Sequence, residues 1–430
     1  MPRFFPQTGT FRSLAVYNYR LWAGGAIVSN VGTWMQRVAQ DWLVLTQLTD
    51  NSASALGVVM ALQFGPQMLM LPLSGFAADF FDRRRLLMVT QALMGLCALG
   101  LGLLTVTAMV ELWHVYVFAF LHGCTAAFDA PARQTFVSDL VGETDLPNAV
   151  ALNSTSFNAA RMVGPALAGL LIAGVGTGWA FLANALSFGG VLCSLAFLRV
   201  GELHPNRRAA RAPGGFVAGF RYVWRRPDLR AILLMLFLIG TFGMNFPIFI
   251  STMAVTTFHA GAGGYGLLAS MMAIGTIAGA LLAAGRDKPR IELLLSGSAV
   301  FAVGCTLAAV MPSYWLFGLA LVVIGVSALT VTNSSNSLMQ LSTEPAMRGR
   351  VMAIRLAIAL GGTPIGAPVV GWVADRFGPR WALGVGAAAG LSAAVVMIHY
   401  LAKHRRLRLH IAGGRPRFSM DEGETLSVPR

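Results

Sequence analysis

The chain has 430 residues, 56% of them hydrophobic and only 12% charged. A soluble protein carries about 25% charged residues, so no aqueous core can hide this much apolar surface and lipid must cover part of it. The formal net charge of +14 would suggest nucleic acid in a soluble protein; here the basic residues flank apolar runs, which is a membrane-topology pattern, and no nucleic-acid partner is expected.

Residues 1–20 are polar, aromatic and basic, and the first apolar run is too long for the core of a cleavable signal peptide. Apolar runs then predict spans at 21–47, 54–78, 86–108, 112–134, 146–174, 178–199, 229–255, 264–284, 291–311, 313–340, 346–374 and 381–402. About 20 helical residues cross the roughly 30 Å hydrocarbon core, and the longer runs must tilt or project. A β-barrel would show short alternating strands instead. The expected fold class is therefore an all-α membrane protein of about 12 transmembrane helices.

The polar connector 200–228 divides the chain into six-helix bundles at 21–199 and 229–402, with a cytoplasmic tail at 403–430 that is expected to be disordered after about 410. Arg3, Arg12 and Arg20, then Arg83 to Arg85, Arg133, the arginines of the connector, Arg286, Lys288, Arg290, Arg348, Arg350 and Lys403 to Arg408 all fall on one side. The other side holds little beyond Arg376 and Arg380. The positive-inside rule then places both termini and the connector in the cytoplasm of a bacterial-type inner membrane.

A weak internal repeat crosses the connector. Sliding 148–182 onto 350–384 pairs Gly164 with Gly366, Gly169 with Gly371, Gly176 with Gly378 and Trp179 with Trp381. Two six-span halves related in this way are a recurrent transporter design. Cys97, Cys124, Cys193 and Cys305 each sit inside an apolar run and form no CxxC pair, so they read as structural thiols.

The segment Gly75-Phe-Ala-Ala-Asp79-Phe-Phe-Asp82-Arg83-Arg84-Arg85 lies between spans two and three. It resembles the GxxxD(R/K)xG(R/K)(R/K) loop of the major facilitator superfamily, with Phe80 and Asp82 as departures. The resemblance covers about the whole chain and implies a gating network of Gly75, Asp79, Arg83 and Arg84, joined by Asp129 and Arg133 at the end of span four. The plainer reading is that the arginines only mark topology. A second copy, Gly371-Trp-Val-Ala-Asp375-Arg376-Phe-Gly378-Pro-Arg380, fits the pattern better but lies between spans eleven and twelve, and reads as a structural turn.

Finer motifs are Phe11-Arg-Ser-Leu, Asn18-Tyr-Arg20-Leu-Trp22, Ser29-Asn-Val-Gly32-Thr-Trp34-Met-Gln36, Asp129-Ala-Pro131-Ala-Arg133-Gln and Arg348-Gly-Arg350-Val. They are similar to the enterobactin-exporter-like branch, which implies siderophore or drug export. In span five, Gly164-Pro165 with Gly169 resembles the Gly-Pro motif of proton-coupled drug antiporters; proline would kink the helix and the glycines would admit a close neighbour. An ordinary packing kink explains the same residues. The span-four antiporter pattern is missing apart from Gly123, which counts against a strict drug–proton antiporter.

Charge at mid-bilayer costs about 2.5–3.5 kcal/mol on insertion scales, so polar residues inside spans are the candidate site. Arg37 and Asp41 share a face of span one, four residues apart. Arg161 falls near the middle of span five with Asn153 and Asn158 before it; Asn245 lies in span seven, Asn333 and Asn336 in span ten and Arg355 in span eleven. The expectation is that Asp41 titrates while Arg37 or Arg161 receives an acidic group or Asp41 itself. The alternative is that Asp41 is hydrated at the outer end of its span and Arg37 snorkels. His114 and His122 read as packing or interfacial residues. Trp34, Trp42, Phe64 and Phe246 are positioned to stack on an aromatic ligand or merely to pack.

No Walker A, HExxH or GxSxG sequence is present and no repeated pore filter is visible, so an enzyme, an ATP-driven pump and a channel are the weaker readings. The leading expectation is a proton-coupled secondary exporter of a siderophore or amphipathic drug-like molecule, acting as a monomer. Proton-coupled import of a metabolite is the alternative. No metal or organic cofactor is implied.

Overall fold

The computed structural model describes residues 9–204, 216–284, 290–404, 407–412 and 415–420. The side chains of Pro72, Phe76, Ala78 and Asp79 lie outside the described set, as do the segments 205–215 and 285–289. The basic residues expected to mark topology at Arg207, Arg208, Arg211, Arg286 and Lys288 fall in those segments.

The first half is α1 (Tyr17–Leu43), α2 (Ala53–Leu69), α3 (Leu71–Phe80), α4 (Arg83–Val106), α5 (Leu112–Leu140), α6 (Leu146–Val175) and α7 (Thr177–Ala196). The second is α8 (Phe216–Arg225), α9 (Pro227–Leu238), α10 (Phe246–Thr252), α11 (Ala262–Ala284), α12 (Glu292–Val310), α13 (Tyr314–Ser342), α14 (Pro345–Phe377) and α15 (Pro379–His404). Three π-helical turns, Val44–Leu48, Ile239–Gly243 and Met253–Thr257, extend α1 and bridge α9 to α10 and beyond. With α2–α3 and α9–α10 each taken as one broken span, and α8 set aside, twelve crossings remain.

Among the described residues, nine helices are long and apolar enough to cross a membrane. The other three crossings fall short for identifiable reasons. The α2–α3 unit is interrupted at Met70, while α1 carries Asn30, Gln36, Arg37, Gln40 and Asp41, and α5 carries Asp129, Arg133 and Asp139.

Local chemistry sets the helix starts. Ser52 Oγ accepts from Ala55 N, Asp82 from Arg85 N and Ser313 Oγ from Leu316 N, each an N-cap. Asp82, a departure from the family loop, thus starts α4. His114 belongs to the turn that starts α5. Its Nδ1 accepts from Glu111 N, Glu111 caps the same turn, and the ring stacks on Trp113 at 3.8 Å.

The internal repeat has a structural counterpart. Gly176 and Gly378 both end a helix at positive φ, +97° and +100°, and a new helix begins at the next residue. A side chain would be strained there. One glycine thus makes the whole connection between α6 and α7 and again between α14 and α15. Gly164 packs on Trp34 and Val31 of α1, while Gly366 packs on Thr241 of the seventh crossing. These are equivalent contacts in the two halves.

The polar connector 200–228 contains α8 in its second part. The tail, expected to be disordered after about 410, holds a hairpin in which Leu407–Ala412 pairs antiparallel with Arg415–Met420. The seventh crossing breaks between Gly243 and Phe246.

The halves pack through α2 against α14 and α6 against α11. Glycines allow the close approach. A Cβ added at Gly57 would meet the Ala367 carbonyl at 2.5 Å, and one at Gly169 would meet the Ala262 carbonyl at 2.8 Å. Among the described residues, three polar links also join the halves. Asp375 accepts from Ala53 and Ser54, Tyr265 donates to Asp41, and Ser270 donates to the Met162 carbonyl. All three lie toward or in the part of the bundle away from the arginine-rich end.

Candidate functional site

Two guanidiniums meet over one indole. Trp34 of α1 has Arg37 Cζ 4.7 Å and Arg161 Cζ 5.4 Å from its ring centroid, and Phe157 of α6 meets it edge-on at 5.8 Å. The indole face attracts both cations and holds them side by side despite their mutual repulsion. Neither guanidinium has an ion-pair or hydrogen-bond partner among the described residues. Both are only partly buried, and Phe157 is 45% exposed, so the cluster is open on one side. Uncompensated guanidiniums inside a bundle are costly unless an anion arrives, and their planar forks match carboxylates.

One turn beyond Arg37, Asp41 is 8% exposed and accepts from the Tyr265 hydroxyl of α11 at 2.6 Å. Among the described residues no arginine lies within ion-pair distance of it, and its hydrogen-bond partner belongs to the opposite half. Sequence reasoning missed Tyr265 because a lone tyrosine in an apolar span looks like packing. His122 Nδ1 of α5 is buried without a hydrogen-bond partner among the described residues.

The other candidate residues do not join this cluster. Asn158 Nδ2 donates to the Ser154 carbonyl of its own helix. Asn245 is 0% exposed in the break of the seventh crossing and donates to the Thr241 carbonyl, while its Oδ1 is left unpartnered. Arg355 donates to the Thr332 carbonyl of α13 at 3.1 Å, and Asn333 and Asn336 are half-buried on that same helix.

Gly164, Pro165 and Gly169 are packing residues. A Cβ at Gly164 would lie 2.6 Å from Trp34 Cβ, Gly266 of α11 sits against the Pro165 carbonyl, and α6 continues as one helix through the proline. The motif therefore seats Trp34 on one side and the opposite half on the other.

At the arginine-rich end the expected network is rewired. Arg83 Nη1 donates to Asp139 at 2.6 Å rather than to Asp129, and Arg84 donates to the Leu195 and Ala196 carbonyls. Asp129 instead accepts from Thr90 at 2.9 Å, Gln91 at 2.6 Å and Arg133 Nε and Nη2, while Arg133 Nη1 donates to Asn30 Oδ1 at 3.3 Å. Every partner lies in the first half. The Asp79 side chain is outside the described set. Gly75 has open space where a Cβ would go, so no tight contact requires it.

The late copy of the loop motif is more than a turn. Asp375 Oδ1 accepts from Ala53 N at 2.6 Å, and Oδ2 accepts from Ser54 N at 2.9 Å and Ser52 Oγ at 3.2 Å. The carboxylate caps α2 from the opposite half, and Gly371 lies against the Ala53 carbonyl. A cleft of about 390 Å³ beside it is lined by Asp50, Ser52, Thr252, Thr256 and Asp375.

Among curated proteins, the chain is 27% identical over 376 residues to the multidrug efflux pump Tap of Mycolicibacterium fortuitum, covering 82% of this chain and 88% of that one. It is 24% identical to the staphyloferrin A transporter of Staphylococcus aureus, covering 89% and 95%, and 25% identical to the enterobactin exporter EntS of Shigella flexneri, covering 85% and 87%. Solved structures of similar fold include a bacterial homologue of the iron transporter ferroportin in an inward-facing state. It has a TM-score of 0.67 at 15% identity and covers 89% of this chain and 98% of that one. A POT family transporter in complex with 5-aminolevulinic acid has a TM-score of 0.72 at 12% identity, covering 93% and 98%. These relatives are transporters, not enzymes. The family model described as transmembrane secretion effector matches residues 8–410. The chain therefore belongs to the transmembrane secretion effectors of the major facilitator superfamily, in the siderophore and drug efflux branch, and is a multi-span membrane transporter.

Proposed function

We propose that this transporter exports an anionic, partly aromatic small molecule of siderophore or drug-like type across the bacterial inner membrane by proton-coupled alternating access. The observation that carries this reading is the pair Arg37 and Arg161, poised over Trp34 with no carboxylate within ion-pair distance among the described residues. An acidic ligand would neutralise the guanidiniums while its ring or alkyl body lies against Trp34 and Phe157. Two names among the relatives, an enterobactin exporter and a multidrug efflux pump, agree with outward movement.

Coupling would run through Asp41. Its carboxylate lies one turn from Arg37 and accepts from Tyr265 of the opposite half. An ionised Asp41 favours that link and also competes with the ligand for Arg37. Protonation weakens both, so proton entry and ligand occupancy are tied to how the halves are held. With the arginine-rich end cytoplasmic, both termini are cytoplasmic and the present arrangement is closed on the outer side by Asp375 and Asp41. The units 21–199 and 229–402 then rock about the site, as a monomer, with 200–228 as their tether.

The test is efflux from a deletion strain carrying this protein, using a panel of siderophores and cationic dyes with and without an uncoupler. Uncoupler-sensitive efflux of acidic ligands that is lost in Arg161→Ala supports the reading. Full proton-driven transport by Asp41→Asn would remove Asp41 from the coupling step. Accumulation of a metabolite in intact cells would reverse the direction.

A further inference from the structure

The helix α8 has two apolar faces, and among the described residues protein covers only one. Val223 is buried, Gly219 lies 2.8 Å (measured from an added Cβ) from Arg350 Cβ of α14, and the Tyr222 hydroxyl accepts from Glu344 N at 3.4 Å. This face docks on the first turns of α14. A second sector, Val217, Phe220 and Trp224, follows the i, i+3, i+7 spacing of one helix side. These residues are 70%, 50% and 63% exposed, and the Phe220 and Trp224 rings stack at 5.7 Å. Arg221 and Arg225 project from the adjoining sector and are exposed, while Arg230 of α9 reaches over Trp224 with Cζ 6.0 Å from the ring centroid.

We infer that α8 is an interfacial helix whose Val217–Phe220–Trp224 stripe enters the bilayer and whose Arg221, Arg225 and Arg230 bind anionic phospholipid headgroups. Position requires contact with the membrane surface. Only Arg226 separates α8 from α9, a crossing helix whose Leu234 and Phe237 face outward. Arg226 is itself tied to Asp228 through two nitrogens at 2.9 and 2.7 Å, and this hydrogen bonding raises its proton affinity above the ordinary value. It is thus a fixed hinge, whereas the other three arginines face outward. Aromatic residues flanked by arginine suit the headgroup level, and clustered guanidiniums next to a membrane crossing select negatively charged lipid. Because the inner face of α8 grips Arg350 and Ile354 of α14, bound lipid would brace the basic end of the helix that packs along α2.

The test uses the full chain in liposomes containing brominated phosphatidylglycerol or brominated phosphatidylcholine. The Trp224 contribution is taken as the difference in fluorescence between the wild type and Trp224→Phe. Brominated phosphatidylglycerol is expected to quench that component more strongly than the zwitterionic lipid. The preference should fall roughly fivefold for each arginine lost in Arg221→Gln and Arg225→Gln, and shrink in high salt. Equal quenching by the two lipids would overturn the headgroup assignment. Absence of quenching, with Trp224→Cys crosslinking between copies, would overturn the bilayer assignment in favour of a second chain.

Discussion

The Asp375 carboxylate holds the backbone nitrogen of Ala53 at 2.6 Å, so a helix in one half is capped by a residue of the other. An N-cap carboxylate satisfies donors that the helix cannot satisfy itself and sits at the positive end of its dipole. When the halves separate at this end, those amides must find water or another acceptor.

Asp375→Ala should therefore loosen the arginine-poor end without unfolding the protein. Loss of an N-cap costs about 1 kcal/mol, roughly a fivefold shift between closed and open forms. Maleimide reaction at Ser54→Cys, compared with and without Asp375→Ala, should speed up by about that factor. Ser52 Oγ still caps Ala55, so α2 itself should persist in circular dichroism.

The Trp34 cluster predicts a charge-selective defect. Arg37→Ala and Arg161→Ala should each weaken binding of an acidic ligand by about tenfold or more, since hydrogen bonds to charged groups contribute about 1.5–3 kcal/mol. Cationic dyes should bind unchanged or better. Arg161→Lys keeps the charge but loses the planar fork, and should fall between the wild type and alanine. Equilibrium binding in detergent measures all three.

Tyr265→Phe removes the donor to Asp41 and leaves a buried carboxylate without that bond, at a cost of about 1–3 kcal/mol. Hydrogen exchange should rise in the outer turns of α1 and α11, where the halves meet. Exchange in α4 and α7, which pack together within the first half, should not move.

Glycine substitutions should separate contact from open space. Gly371→Ala and Gly366→Ala place a methyl into the Ala53 and Thr241 carbonyls and should lower thermal stability by about 1–3 kcal/mol. Gly75→Ala meets nothing and removes backbone freedom in a helix, so it should be neutral or stabilising. Melting in one detergent orders the three.

The twelve crossings were legible because nearly every apolar run exceeds the length needed to cross lipid, and Gly176 and Gly378 could be paired before their matching φ values were known. Arg37, Asp41 and Arg161 stood out because charge within an apolar run is conspicuous. Tyr265 did not, since its role comes from a partner 224 residues away. Asp139 escaped for a similar reason: it lies ten residues beyond Asp129, where the family loop drew attention, yet it is the one that Arg83 reaches. Asp375 was visible as a motif, but its meaning depended on which helix end lay opposite. The α8 helix was hidden because ten residues with two arginines and four aromatics do not resemble a span.

The single-residue turns at Gly176 and Gly378 bear on how the arginine-poor face of the transporter can be recognised by a binder. They leave almost no protruding polypeptide on two of the connections of the arginine-poor face. An antibody or nanobody raised against that face would have to seize 107–111, 258–261, 311–313 or the 49–52 corner. The last lies beside the Asp375 contact, so a binder there would act as a conformational clamp, while epitope tags inserted at either glycine would break the fold before they could be displayed.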